Sequence, residues 1–268
     1  MPSPTVLSNR IDDTFAALRA RRVAAFVAYV GAGDPTMDAT LEIVLSLEEA
    51  GADIVELGLP FSDPLADGIV NQLSAQRALE AGATTPKILD LIRRIRQRSQ
   101  IPLVLFTYLN PVYAYGYKKF LLDASEAGAD GILALDLPPD EAILNDELRD
   151  ATGLRQIRLI SPTTPDARIR QIAAASEGFI YYVSREGVTG AQSELAHGIA
   201  GQVGKIKAAT DVPVVVGFGI STPEQAATVA RLADGVVVGS AIVKRIADGA
   251  TPAELAAFVS PLAAATKS

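Results

Sequence analysis

The sequence predicts an α/β fold, a closed (β/α)8 TIM barrel with an additional N-terminal helix, on three observations. Eight short apolar runs recur along the 268 residues, with amphipathic stretches between them. The runs lack strict alternation, as expected of strands covered on both faces in a parallel sheet. One junction also repeats: Glu49-Ala-Gly-Ala-Asp-Ile54 is echoed by Glu126-Ala-Gly-Ala-Asp-Gly-Ile132 and more faintly by Leu232-Ala-Asp-Gly-Val236. In each, a helix closes on or near a glycine that tolerates a left-handed turn, and a strand starts at once. Eight such units in about 250 residues favour a closed barrel over an open doubly wound sheet.

In chain order, Ile11–Ala20 reads as the extra helix, closing the barrel bottom. Strands are expected at Val23–Val30, Ile54–Leu57, Leu103–Thr107, Gly131–Leu135, Arg155–Ile160, Phe179–Val183, Val214–Val216 and Gly235–Val238. Amphipathic segments lie between them at Met37–Ala50, Thr85–Arg98, Tyr117–Ala127, Ile169–Ala175 and Pro223–Ala230. Gly58 and Pro60 stop the second strand, and Pro64 and Gly68 keep the adjoining loop irregular. No low-complexity stretch or Pro/Ser-rich linker divides the chain, so residues 1–268 read as one domain.

Composition narrows the function. With 24 Lys and Arg against 31 Asp and Glu the net charge is −7, which argues against general affinity for nucleic acid or an anionic membrane. The one basic cluster, Arg93-Arg-Ile-Arg-Gln-Arg98, ends a predicted helix, where it complements the helix dipole. No segment reaches the length of a membrane span and no export signal is visible, so a cytoplasmic location is expected. The absence of cysteine removes disulfides, thiolate nucleophiles and Cys-based zinc sites. His197 is the only histidine, so no histidine metal cluster is expected, and no strand candidate carries a lysine for Schiff-base chemistry.

Chemistry in a barrel of this type gathers at the C-terminal ends of the strands. Glu56 falls there, where a core carboxylate is costly unless it has work or a partner. Asp67 comes next on the adjacent loop, free to swing back over the same strand end. A carboxylate on a rigid wall and another on a nearby loop can act as an acid/base pair. The plainer alternative is a buried salt-bridge residue followed by a helix-capping Asp. Thr107-Tyr108, Asp136, Ser184 and Gly217 share that end, with Asp136 read as structural or as a rim residue. Val216-Gly-Phe-Gly-Ile-Ser221 and Val238-Gly-Ser-Ala241 succeed late strands and run into helices, so their backbone N–H groups could hold a phosphate. Ordinary tight βα turns also want glycine at these points. Ser184-Arg-Glu-Gly-Val-Thr-Gly190 suggests a lid, with Arg185 and Thr189 meeting Asp67 on closure, or else a surface loop with no role. Tyr181 either lines a planar pocket or packs in the core.

The run Val55-Glu-Leu-Gly-Leu-Pro-Phe-Ser-Asp-Pro-Leu-Ala-Asp-Gly68 resembles the signature of the tryptophan synthase α-subunit family. Ala25-Phe26, Gly33-Asp34-Pro35, Tyr108-Leu-Asn-Pro-Val112, Ser184–Gly190, Gly217-Phe-Gly-Ile-Ser221 and Gly239-Ser-Ala-Ile-Val-Lys244 match in order and spacing. The resemblance implies a lyase that cleaves indole-3-glycerol phosphate to indole and glyceraldehyde 3-phosphate. It implies an α2β2 complex with a β subunit that binds pyridoxal phosphate and joins indole to serine, and no cofactor or metal in this chain. Carried over by residue, Glu56 and Asp67 are the catalytic pair. Phe26, Tyr29, Tyr108 and Tyr181 belong to the substrate pocket. Gly190, Gly219, Gly239 and Ser240 hold the phosphate, Thr189 supports Asp67, and Asp63, Pro64, Asn110 and Pro138 face the β subunit. Ile69 stands where the family commonly has Pro, followed by Val70-Asn71-Gln72, and Ala28 where Pro is frequent. Rival expectations are a stand-alone indole-releasing lyase, a non-catalytic activating subunit of a β-type partner, or another phosphate-binding barrel such as an isomerase or epimerase.

Overall fold

The computed structural model describes residues 9–138, 141, 146–183, 192–217 and 219–268. The strands are β1 (Ala25–Gly31), β2 (Ile54–Gly58), β3 (Leu103–Thr107), β4 (Gly131–Ala134), β5 (Arg155–Gln156), β6 (Arg158–Ile160), β7 (Ile180–Val183), β8 (Val214–Gly217) and β9 (Gly235–Val238). They are parallel, in the order β5-β4-β3-β2-β1-β9-β8-β7-β6. The expected fifth strand is therefore two pieces of one segment, interrupted at Ile157. Its first half pairs with β4 and its second with β7, which brings the two edges of the sheet together and gives the (β/α)8 architecture.

Alternation along each strand separates two cores. Ala25 and Val27 of β1 point into the barrel with Ile54, Val104, Val215 and Val237. Phe26, Ala28 and Val30 point outward into the helix layer. The additional helix is α1 (Arg10–Arg21), capped by the Asn9 side chain, which accepts from Ile11 N–H. Its buried Ile11, Phe15 and Leu18 enter the barrel floor, and the Phe15 and Phe179 rings sit 5.8 Å apart. The helix thus fills the end of the barrel opposite the strand C-termini.

The repeated Gly-Ala-Asp junction has a structural basis. Gly51 and Gly128 take φ of +100° and +101°, the left-handed turn that lets a helix hand over to a strand. The Asp of each junction then ties neighbouring strands: Asp53 accepts from Phe26 N–H at 2.6 Å and Asp130 from Leu103 N–H at 2.8 Å. Asp234, in the fainter echo, accepts from Val214 N–H at 2.8 Å. Each carboxylate is also neutralised by a cation: Lys267, Arg96 with Arg10, and Lys207 respectively.

Helix α2 (Met37–Glu49) joins β1 to β2, α3 (Ile69–Glu80) and α4 (Thr85–Arg96) lie between β2 and β3, and α5 (Leu109–Tyr115) and α6 (Tyr117–Ala127) come after β3. Helix α3 was not expected from the sequence. It begins directly after Gly68, because glycine serves as an N-cap and the residues beyond it favour helix. Among the described residues no helix is long and apolar enough to cross a membrane.

Candidate active site

Glu56 occupies the middle of β2, opposite Tyr29 of β1 and Val104 of β3. Alternation turns it to the barrel interior, on the same face as Ile54. It is fully buried, and neither carboxyl oxygen has a hydrogen-bond partner among the described residues. Desolvation therefore pushes its pKa up to about 8, so near neutrality the group carries its proton. Among the described residues no cation pairs with it, which speaks against the salt-bridge alternative.

Asp67 sits on the loop between β2 and α3. Tyr108 fixes it: the phenol accepts from Ala66 N–H and donates to the Asp67 carboxylate, both at 3.0 Å. Gln72 adds a bond from its side-chain N–H to the Asp67 carbonyl at 2.8 Å. Burial raises the pKa of Asp67, while the hydrogen bond from Tyr108 and the nearby Asn71 amide oppose that rise. The two carboxyls are thus placed differently, one stripped of partners and one supplied with donors. Such environments hold one carboxyl protonated and favour ionisation of the other.

A cavity of about 470 Å³ opens at the same end, in the range typical of small-molecule sites. Tyr29, Phe106 and Tyr181 form its aromatic wall, with rings 5.2 Å apart for the first pair and 6.5 Å for the second. Both tyrosines lie over glycines of the next strand. A Cβ on Gly58 would come within 2.2 Å of the Tyr29 hydroxyl, and one on Gly217 within 2.5 Å of the Tyr181 hydroxyl. These two glycines make room for the aromatic slot.

Gly219, Gly239 and Ser240 line the same cavity. Gly239 is the N-cap of the helix Ser240–Ala247, so the positive end of that helix faces it. Gly219 has φ +63° and open space around its Cα, leaving its backbone accessible to a ligand.

Several expectations are corrected. Phe26 does not line the cavity: one residue out of phase with Tyr29, it is buried in the outer core under the helices. Tyr108 braces Asp67 in the tight space beside the cavity, where it does not line the main chamber. Asp136 accepts from Leu109 N–H at 2.6 Å and so holds the start of α5, as the structural reading required. Thr189, Gly190 and the rest of the lid, Ser184–Gly190, lie outside the described residues. Asp63, Asn110 and Pro138 are exposed and Pro64 is half-buried, all on connections leaving strand C-termini.

Several cavity residues were missed, Phe106 and Asn71 among them. Phe106 is legible from alternation in β3, since it shares a face with Val104. Asn71 could not be placed without knowing that a helix begins after Gly68. Among the described residues no three His, Cys, Asp or Glu side chains converge as a metal site would require.

Fold and site together define a class: an α/β barrel whose mouth carries a protonated carboxyl and a braced carboxylate beside an aromatic cavity with glycine turns on its wall. A family model described as "Tryptophan synthase alpha chain" matches residues 15–265. The chain belongs to the tryptophan synthase alpha chain family. It is 53% identical over 236 residues to the alpha chain of Citrifermentans bemidjiense, covering 88% of both. It is 52% identical to that of Geobacter sulfurreducens, covering 95% of this chain and 97% of the other. Among solved structures, tryptophan synthase subunit alpha from Legionella pneumophila superposes with a TM-score of 0.88 at 38% identity, covering 97% of this chain and 98% of that one. A chain of Mycobacterium tuberculosis tryptophan synthase superposes with a TM-score of 0.89 at 32% identity, covering 97% and 100%.

Proposed function

We propose that Glu56 and Asp67 are the acid/base pair that cleaves indole-3-glycerol phosphate to indole and glyceraldehyde 3-phosphate, the family's lyase reaction in tryptophan biosynthesis. The observation that carries this is Glu56: a fully buried carboxyl in the middle of an interior strand, without a partner among the described residues and protonated below about pH 8.

The chemistry is dictated by the leaving group. An indole carbon is a poor carbanion, so C3 must first be protonated. Glu56 gives its proton to C3, and the positive charge that spreads to the ring N–H is stabilised by ionised Asp67. Glu56, now a carboxylate, takes the proton of the hydroxyl next to the ring. The C–O bond becomes an aldehyde, the C–C bond breaks, and its electron pair restores neutral indole. Protons balance, and Glu56 ends as it began. Tyr29, Phe106 and Tyr181 form a slot for the flat ring. The phosphate rests on backbone N–H groups at Gly190, Gly219, Gly239 and Ser240, and Thr189 supports Asp67.

The whole chain acts as one barrel domain in the cytoplasm, as the alpha subunit of an α2β2 assembly. Asp63, Pro64, Asn110 and Pro138 face the partner, and pyridoxal phosphate chemistry belongs to the beta subunit. Glu56→Gln should abolish indole release, with or without added beta subunit, while affinity for glycerol 3-phosphate stays within about twofold, because one acid/base group supplies about 10²–10⁴-fold. Retained turnover would refute the assignment. High indole release by the isolated wild-type chain, unchanged by the partner, would instead mark a stand-alone lyase.

A further inference from the structure

Asn71 stands in the first turn of α3, and its backbone N–H donates to the Gly68 carbonyl at 3.0 Å. Its side chain lines both the main cavity and the tight space that holds Asp67 and Tyr108. The amide lies close enough to the Asp67 carboxylate to favour its ionised form. The other end of the amide is different: Oδ1 is buried and has no hydrogen-bond partner among the described residues. Among the described residues only Glu56 and Asn71 carry buried side-chain polar atoms left in that state, and both belong to this site. Leaving a buried acceptor unpaired destabilises a fold, and an incoming donor removes that cost.

We propose that Asn71 orients the glycerol chain of the substrate, its Oδ1 accepting a hydrogen bond from the middle hydroxyl while its Nδ2 holds Asp67. This rests on the roles given above to Glu56 and Asp67. Outside the phosphate the substrate offers three N–H or O–H donors. The ring N–H faces Asp67, and the hydroxyl beside the ring surrenders its proton to Glu56. Only the middle hydroxyl is left. Asn71 shares one cavity with the aromatic slot and with the glycine turns, so a ligand spanning ring to phosphate passes it. The single side chain thereby links the alignment of the scissile bond to the state of Asp67.

The test compares two ligands in the non-turnover Glu56→Gln background: indole-3-glycerol phosphate and indole-3-propyl phosphate, which keeps ring and phosphate but lacks both hydroxyls. Asn71→Leu should bind the hydroxylated ligand about three- to tenfold more weakly, the worth of one neutral hydrogen bond, and the deoxy ligand unchanged. With Glu56 intact, the acid limb of kcat/KM should move to higher pH in Asn71→Leu, because Asp67 loses a donor. Asn71→Ala, a small helix-favouring change, runs the same comparison should the leucine variant fold poorly. Equal losses for both ligands, or no loss for either, would overturn the inference. Turnover by Glu56→Gln alone would instead strike the acid/base assignment, so the two failures are distinguishable.

Discussion

Glu56 shows what one buried side chain does to the pH behaviour of a whole molecule. Its folded pKa, about 8, lies well above the ordinary 4.5. Between those values the native chain keeps a proton that the unfolded chain has released, so stability is full below the lower value and falls as pH rises through the window. The slope approaches about 1.4 kcal/mol per pH unit from this group. Glu56→Gln is neutral throughout. Its Tm relative to the parent should therefore climb steadily from pH 5 to pH 8.5, as scanning calorimetry can track. A difference that stays flat with pH would mean Glu56 is ionised in the fold.

Helix α3 is the element on which the site depends, because it continues directly from the Asp67 loop. It is pinned to the end of β1 by Asp34, which is buried and receives the Arg77 guanidinium as a fork, at 2.9 and 2.6 Å, and the Ser74 hydroxyl at 2.5 Å. Contact is close enough that a Cβ on Gly31 would lie 2.3 Å from Ser74 Oγ. Removing Arg77 strands a buried carboxylate. Since the guanidinium is 32% exposed, the loss is set below that of a fully buried pair. Arg77→Met should cost about 2–3 kcal/mol in urea unfolding and lower kcat as the Asp67 loop loosens. Arg77→Lys should fall between, because an ammonium cannot reproduce the fork. Equal stability of all three would show that α3 is held by apolar packing alone.

At the scale of the molecule, Gly131 is where β4, the interrupted strand and the plugging helix meet. An added Cβ would stand 2.6 Å from Ile157 Cδ1, 2.9 Å from Ile11 Cδ1 and 3.1 Å from the Arg155 carbonyl oxygen. Gly131→Ala should destabilise the barrel by about 1–3 kcal/mol through overpacking. Gly201 lies within the helix Gln192–Lys207 and has nothing within 4 Å of a built Cβ. Gly201→Ala should stabilise by up to about 1 kcal/mol through helix propensity. Opposite signs in paired denaturation curves are the expected outcome, and like signs would contradict the packing described.

The strands and the carboxylate pair were legible in the chain because parallel strands buried on both faces stay apolar throughout, and a lone Glu among such residues stands out. The Gly-Ala-Asp repeats announced the turns for the same local reason, since a left-handed turn needs glycine wherever it occurs. Tertiary structure decided the rest. Whether Phe26 or Tyr29 faces the cavity depends on a one-residue phase set by pairing with β2 and β9. The break at Ile157 results from closing the barrel, and α3 with Asn71 gains its place by docking on Asp34. Local preference can write a strand or a turn, but orientation, closure and the pairing of distant polar groups are settled only when the elements pack.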